Sequence, residues 1–178
     1  MRVYATENLT QRGDAYALLA CGAKEFRCFD ALPAIDRAPG GKPFFPEHPD
    51  CHFNLSHSGN LALCALSGTP VGVDIQIVKY NWREGLPRRV CAPRELEWLE
   101  KQPRRWDAFT LLWALKEARV KYDGTGLAAG VREISVPLPK EEQSLYRHDG
   151  LWFRTYKGDG WMAAACGEDI PPENLIWV

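Results

Sequence analysis

Three short stretches carry residue types at spacings that suit chemistry. Val71-Gly72-Val73-Asp74-Ile75-Gln76 reads as a strand with a carboxylate inside it. Strand alternation puts Asp74 and Gln76 on one face, and Val73 and Ile75 on the other. An acid in mid-strand is costly unless something pairs with it. Just upstream, an apolar strand from Phe53 breaks at a polar turn, Ser56-His57-Ser58-Gly59-Asn60, that holds a histidine. Further on, Trp113, Glu117 and Lys121 fall four apart on one helical face. Alone, Glu117 and Lys121 would read as a surface ion pair worth about 0.3 kcal/mol. Their place above an apolar stripe of Phe109, Leu112 and Val120 argues that they border the core instead.

Other patterns exclude chemistry. His48, Cys51, His52 and His57 match no standard zinc spacing. Ser56 and Ser58 flank a histidine without a GxSxG elbow, and sequence neighbours do not make a triad, so a hydrolase is disfavoured. Gly124, Gly126 and Gly130 have the wrong spacing for a dinucleotide loop.

The elements that must position these residues follow from periodicity. Met1 to Thr6 reads as a strand. A helix begins near Thr10 or Asp14, with Tyr16, Leu18, Leu19, Phe26 and Phe29 as its apolar stripe. Residues 33–49 are too proline-dense for regular structure. Leu61 to Leu66 is a second apolar strand. Residues 79–89 read as irregular and basic, and Pro93 opens a helix to Lys101. A longer helix spans Arg104 to about Tyr122 and stops at Asp123-Gly124. Glu133 to Pro137 reads as a strand, Leu151–Tyr156 and Trp161–Cys166 as a hairpin, and Leu175 to Val178 as a last strand. Phe53 with Leu61–Ser67 is echoed by Phe153 with Trp161–Gly167 at equal spacing, either from internal duplication or from shared hairpin grammar. The expected layout is one unit, 1–178, made of helix-plus-hairpin halves at 1–78 and 79–178.

Bulk properties narrow the partners. The chain has 178 residues, is 46% apolar with seven tryptophans, and carries a net charge of −1. That balance gives no global pull toward nucleic acid or membrane, so a basic site must be local. The first residues lack the apolar core of a signal peptide, and no run is long enough to span a membrane. The six cysteines form no CxxC pair and read as reduced thiols, which points to the cytoplasm.

In combination these stretches resemble the 4′-phosphopantetheinyl transferases, more closely the two-halved type that modifies secondary-metabolism carriers. Four segments carry the resemblance in order: Gly41-Lys42-Pro43; Phe53-Asn-Leu-Ser-His-Ser58; Val71-Gly-Val-Asp-Ile-Gln76; and Trp113-x-x-Lys116-Glu117-Ala-x-x-Lys121, with Gly124-x-Gly126-Leu127 behind it. The resemblance implies a pseudo-twofold α+β fold with coenzyme A between the halves. It implies magnesium on Asp74 and Glu117, with phosphate contacts from Ser56, His57 and Lys121. Gly41, Lys42 and Pro43 would line the adenine end. The residue types agree: a hard divalent cation prefers carboxylate oxygens, and moving a phosphoryl-linked arm to a serine is mainly positioning and charge neutralisation. Glu117, or a water held by the metal, would take the serine proton.

Three departures accompany the resemblance. The family's second strand acid is Gln76 here, which can bind metal through its amide oxygen but brings no charge. The first helix places Ala17 where a basic residue for the 3′-phosphate is usual, leaving Arg12 or Arg27 as substitutes. The helix after the metal strand starts Cys91-Ala-Pro-Arg-Glu95 without a Ser or Thr cap, although Glu95 fits the family's acid there. The expected partner is an acidic helical acyl or peptidyl carrier protein. The basic segment from Lys79 to Arg94 is its candidate dock, or else a solvated loop. The expected state is a monomer, and the alternative function is a catalytically silent coenzyme A or carrier binder.

Overall fold

The computed structural model describes residues 1–9, 14–27, 29–126, 130–141 and 143–178. Its strands are β1 (Arg2–Thr6), β2 (Asp36–Arg37), β3 (Pro43–Phe44), β4 (His52–Ser58), β5 (Leu61–Ser67), β6 (Val71–Ile77), β7 (Leu145–His148), β8 (Leu151–Gly158), β9 (Trp161–Gly167) and β10 (Ile176–Trp177). Its helices are α1 (Asp14–Arg27), α2 (Leu86–Val90), α3 (Pro93–Glu100) and α4 (Arg105–Asp123). The fold is α+β. One sheet runs β10-β1-β5-β4 and the other β6-β9-β8-β7, with β2 and β3 forming a separate two-residue ribbon.

Side-chain parity sorts the layers. On β1, β5, β6 and β9 the odd-numbered residues (Val3, Leu63, Val73, Ala165 among them) pack into one core shared by both sheets. Even-numbered residues of β1 and β5 face α1. Odd-numbered residues of β8 (Leu151, Phe153) and even-numbered residues of β9 (Ala164, Cys166) pack with α4 around Phe109, Leu112 and Leu115. Strand alternation thus lets β1, β5, β8 and β9 each contribute to two of the three clusters.

The two hairpins share one register. Phe53 pairs with Leu66, and Phe153 with Cys166; Ser58 pairs with Leu61, and Gly158 with Trp161. Each hairpin follows a helix, and a preceding strand then pairs with its second arm: β1 with β5, β6 with β9. The repeated unit is therefore strand–helix–hairpin. The expected division at residue 78 does not follow the sheets, because β6 belongs with β9 and β10 crosses back to β1. Sequence proximity favours a β5–β6 hairpin, but tertiary pairing overrides it.

Gly72 explains how close α4 sits to β6. A Cβ there would lie 1.9 Å from the Ala118 carbonyl oxygen and 2.5 Å from the Tyr122 nitrogen. Gly72→Ala is expected to destabilise by about 2–3 kcal/mol, since backbone rather than a flexible side chain must yield. A urea midpoint unchanged from wild type would contradict that contact.

Local differences from the sequence reading have physical reasons. Ser56 and His57 lie inside β4, and the turn is only Gly59-Asn60. Residues 86–90 form a short helix with Pro87 in its first turn. Glu133 to Pro137 is not a strand; Val131–Glu133 is a 3-10 turn followed by extended chain. The Thr10 cap, Arg12, Cys28 and Leu127 lie outside the described residues. Among the described cysteines, Cys51, Cys64, Cys91 and Cys166 are buried, and burial pushes the Cys166 thiol up to about 12. Among the described residues no helix is long and apolar enough to cross a membrane.

Candidate functional site

The edges of the two sheets meet where β4 runs beside β6. Polar side chains at alternate β4 positions complete the free edge of β6. Val73 N–H donates to Asn54 Oδ1 (3.0 Å), Ile75 N–H to Ser56 Oγ (3.2 Å) and Ile77 N–H to Ser58 Oγ (3.0 Å). Side-chain oxygens here substitute for a strand's carbonyls, each such bond contributing about 1 kcal/mol net.

Asp74 sits on this seam, 2% exposed. Its Oδ1 accepts from Ser56 Oγ (2.7 Å) and from Lys121 Nζ (2.7 Å), and its Oδ2 from the Gln76 amide (2.9 Å). Lys121 also donates to the Val73 carbonyl (3.1 Å). The strand acid therefore has the partners its burial requires. Gln76 and Asp74 share a face, as alternation demands, and α4 delivers Lys121 to it.

Glu117 stands one turn before Lys121 on the same helix. Burial first, and the neighbouring Asp74 carboxylate second, push its carboxyl above the usual range, while Lys121 pulls it down. Two adjoining pockets share Glu117, Lys121 and Leu55 and together make up the cleft. One end is walled by Gly41, Lys42, Pro43, Asn54, Gly124 and Gly126, the other by Ser56, His57, Asp74, Gln76, Trp82 and Trp113. His57 is exposed at that second end.

The loop at the first end is fastened to α4. Gly41 has φ +83, a value glycine adopts without strain, and its N–H donates to the Ala38 carbonyl (2.7 Å). A Cβ on Gly40 would lie 2.0 Å from the Gly124 carbonyl oxygen, so the loop lies against the helix end. Lys42 donates to the Tyr122 carbonyl (2.7 Å) and lies 5.7 Å from that ring's centroid. Burial pushes its ammonium pKa down. Lys42 thus caps the C-terminal end of α4, where a cation is favoured.

Two features escaped the sequence reading. Arg37, on β2, donates to the Gly41 carbonyl (2.9 Å) and to the Tyr16 hydroxyl (3.4 Å), which places an exposed guanidinium beside the loop and α1. Of the expected substitutes for a helix cation, Arg27 is instead bound to Asp50 (3.2 Å). Lys116 is fully buried and pairs with Glu95 (2.9 Å), while donating to the Val131, Arg132 and Ile134 carbonyls. Glu95 also accepts from the Ala92 N–H (2.6 Å), which offsets the missing hydroxyl cap.

The oxygen donors facing the cleft are two carboxylates and one amide. Among the described residues no group of three or more His, Cys, Asp or Glu is placed to hold a metal. The Asp74–Glu117 repulsion is nonetheless of the kind a hard cation relieves, and the donor set suits magnesium.

Comparison with known proteins bears on this cleft. A family profile described as the 4′-phosphopantetheinyl transferase superfamily matches residues 70–166, the span from β6 to β9. The chain is 34% identical over 145 residues to 4′-phosphopantetheinyl transferase Sfp of Bacillus subtilis, covering 78% of this chain and 65% of that protein. A second Bacillus subtilis 4′-phosphopantetheinyl transferase is 35% identical over 125 residues, 67% of this chain and 55% of its own. The HetI transferase of Nostoc is 36% identical over 104 residues, 56% of this chain and 44% of its own. The chain thus spans about half to two thirds of the length of these relatives.

Proposed function

The chain belongs to the 4′-phosphopantetheinyl transferase superfamily, and on that premise we propose that it transfers the 4′-phosphopantetheine arm of coenzyme A to a serine of an apo acyl or peptidyl carrier protein. The observation that supports this most is the meeting of Asp74, Glu117 and Lys121 in one cleft, from a strand and a helix far apart in sequence. Gly41, Lys42 and Pro43 hold the adenine end, and His57 and the Lys121 ammonium contact the phosphates. Asp74, Glu117 and the Gln76 amide oxygen hold magnesium, which when bound neutralises diphosphate charge and polarises the bond to be broken.

The steps left to the side chains are few. Glu117 accepts the carrier serine proton, a task suited to a carboxylate whose pKa is raised. The serine oxygen bonds to the phosphorus that bears the pantetheine arm, and the bond to adenosine 3′,5′-bisphosphate breaks. Lys121 supports the charge on the departing phosphate. The carrier approaches over Trp82, which walls the cleft and stacks with Lys79 (5.2 Å) beside exposed Arg83, Arg88, Arg89 and Arg94. An acidic helical domain complements that basic surface. The repeat of strand, helix and hairpin within one chain fits a monomeric enzyme, and the free cysteines fit a cytoplasmic one.

Release of adenosine 3′,5′-bisphosphate, equimolar with modified carrier, tests the reaction; coenzyme A left intact with every carrier type contradicts it. The substitution of Gln76 for an acid favours one rival, a binder that does not transfer. Calorimetry separates them, because a silent binder holds coenzyme A with little dependence on magnesium. Within the transfer reading, Arg37 takes up the phosphate contact that α1 lacks. Arg37→Ala is expected to raise the KM for coenzyme A about five- to tenfold with kcat unchanged. An unchanged KM would remove Arg37 from the site.

A further inference from the structure

The β4–β6 seam repeats one bond three times, and of the three residues Ser56 is also bonded to the Asp74 carboxylate. Asn54, Ser56 and Ser58 each accept a backbone N–H from β6. Ser56 alone also donates, to Asp74 Oδ1 at 2.7 Å. Its residue is 4% exposed. A hydroxyl has one proton to give, and a phosphate oxygen is an acceptor that would need it. That proton is already on the carboxylate, in a short charge-assisted bond of the strong kind.

We propose that Ser56 is a positioning residue that sets the Asp74 carboxylate from across the seam, and does not contact phosphate. Asp74 has three side-chain donors. Lys121 and Gln76 come from α4 and from β6 itself, whereas Ser56 comes from the other sheet. The bond therefore ties the orientation of the acid to the docking of one sheet on the other. A shift of β4 along β6 would loosen the ladder and turn the carboxylate at the same time. Such support fixes a metal-binding carboxylate's rotamer, and its loss typically weakens metal binding by about ten- to a hundredfold.

This rests on Asp74 being a magnesium ligand, so the test reads metal binding apart from turnover. Free Mn2+ is titrated against the full chain by electron paramagnetic resonance, without coenzyme A. Ser56→Ala is expected to bind Mn2+ about tenfold more weakly than wild type. Ser58→Ala loses an equivalent seam bond without touching the acid, and is expected to bind as wild type does. Ser56→Cys, which keeps the volume with only a weak donor, repeats the comparison should the alanine variant fold poorly. A kinetic arm compares coenzyme A with 3′-dephospho-coenzyme A. At saturating magnesium, Ser56→Ala is expected to keep the wild-type preference between them and a KM within about twofold. Unchanged Mn2+ affinity in Ser56→Ala, equal losses in Ser56→Ala and Ser58→Ala, or a lost preference for the 3′-phosphate would each overturn the proposal. A wild-type chain that transfers to no carrier would sink the transferase reading and leave the Mn2+ comparison decisive. A wild-type chain that binds no Mn2+ would overturn the Ser56 proposal and leave transfer measurable.

Discussion

Glu117→Ala is expected to lower carrier modification by about three orders of magnitude, the scale of a lost general base that also ligates metal. The fold should survive. Glu117 stands half-buried beside Asp74, and that repulsion together with burial already disfavours its charge. Removing it relieves a cost, so the melting temperature should equal or exceed that of the wild type. Activity and stability are thus expected to move in opposite directions, as they do where a site holds destabilising charge for function. Glu117→Gln keeps the shape and should be nearly as inactive. Turnover within tenfold of wild type in both variants would take Glu117 out of the mechanism.

The neighbouring residue carries the opposite expectation. Lys116 faces inward from the same turn of α4, its ammonium fully buried among Glu95 and three carbonyls. Lys116→Met leaves a buried carboxylate uncompensated and those carbonyls without a donor. It should cost about 3–5 kcal/mol, read as a large fall in the urea midpoint. Lys116→Met combined with Glu95→Gln removes the stranded charge while keeping an acceptor for Ala92, and should recover part of the loss. A midpoint near wild type in the single variant would mean that the pair is not the lock between α3, α4 and residues 131–134.

This lock also shows where the sequence could not be read. Glu133 to Pro137 has strand-like alternation, yet its carbonyl partners are not another strand; they include the ammonium of Lys116. A fully buried lysine is rare enough that sequence alone assigns it to the surface. The 4-spaced Trp113, Glu117 and Lys121 were legible because a helix enforces that face. Asp74 was legible because a mid-strand acid needs partners, and the structure supplies three. The Ser56–Asp74 bond was not legible, nor was the pairing of β6, because both cross between elements and no local pattern reveals which strand edges will meet. Arg37 was missed because its two-residue ribbon lies in a proline-rich loop where no periodicity marks a face. The equal spacing of the Phe53 and Phe153 hairpins, by contrast, appears directly as an identical register.

The most direct test of the central claim is the intact mass of an apo carrier protein after incubation with this chain and coenzyme A. The account expects one added phosphopantetheine arm per carrier when magnesium is present and none when it is chelated. Acyl and peptidyl carriers that all keep their apo mass in the presence of magnesium would contradict it.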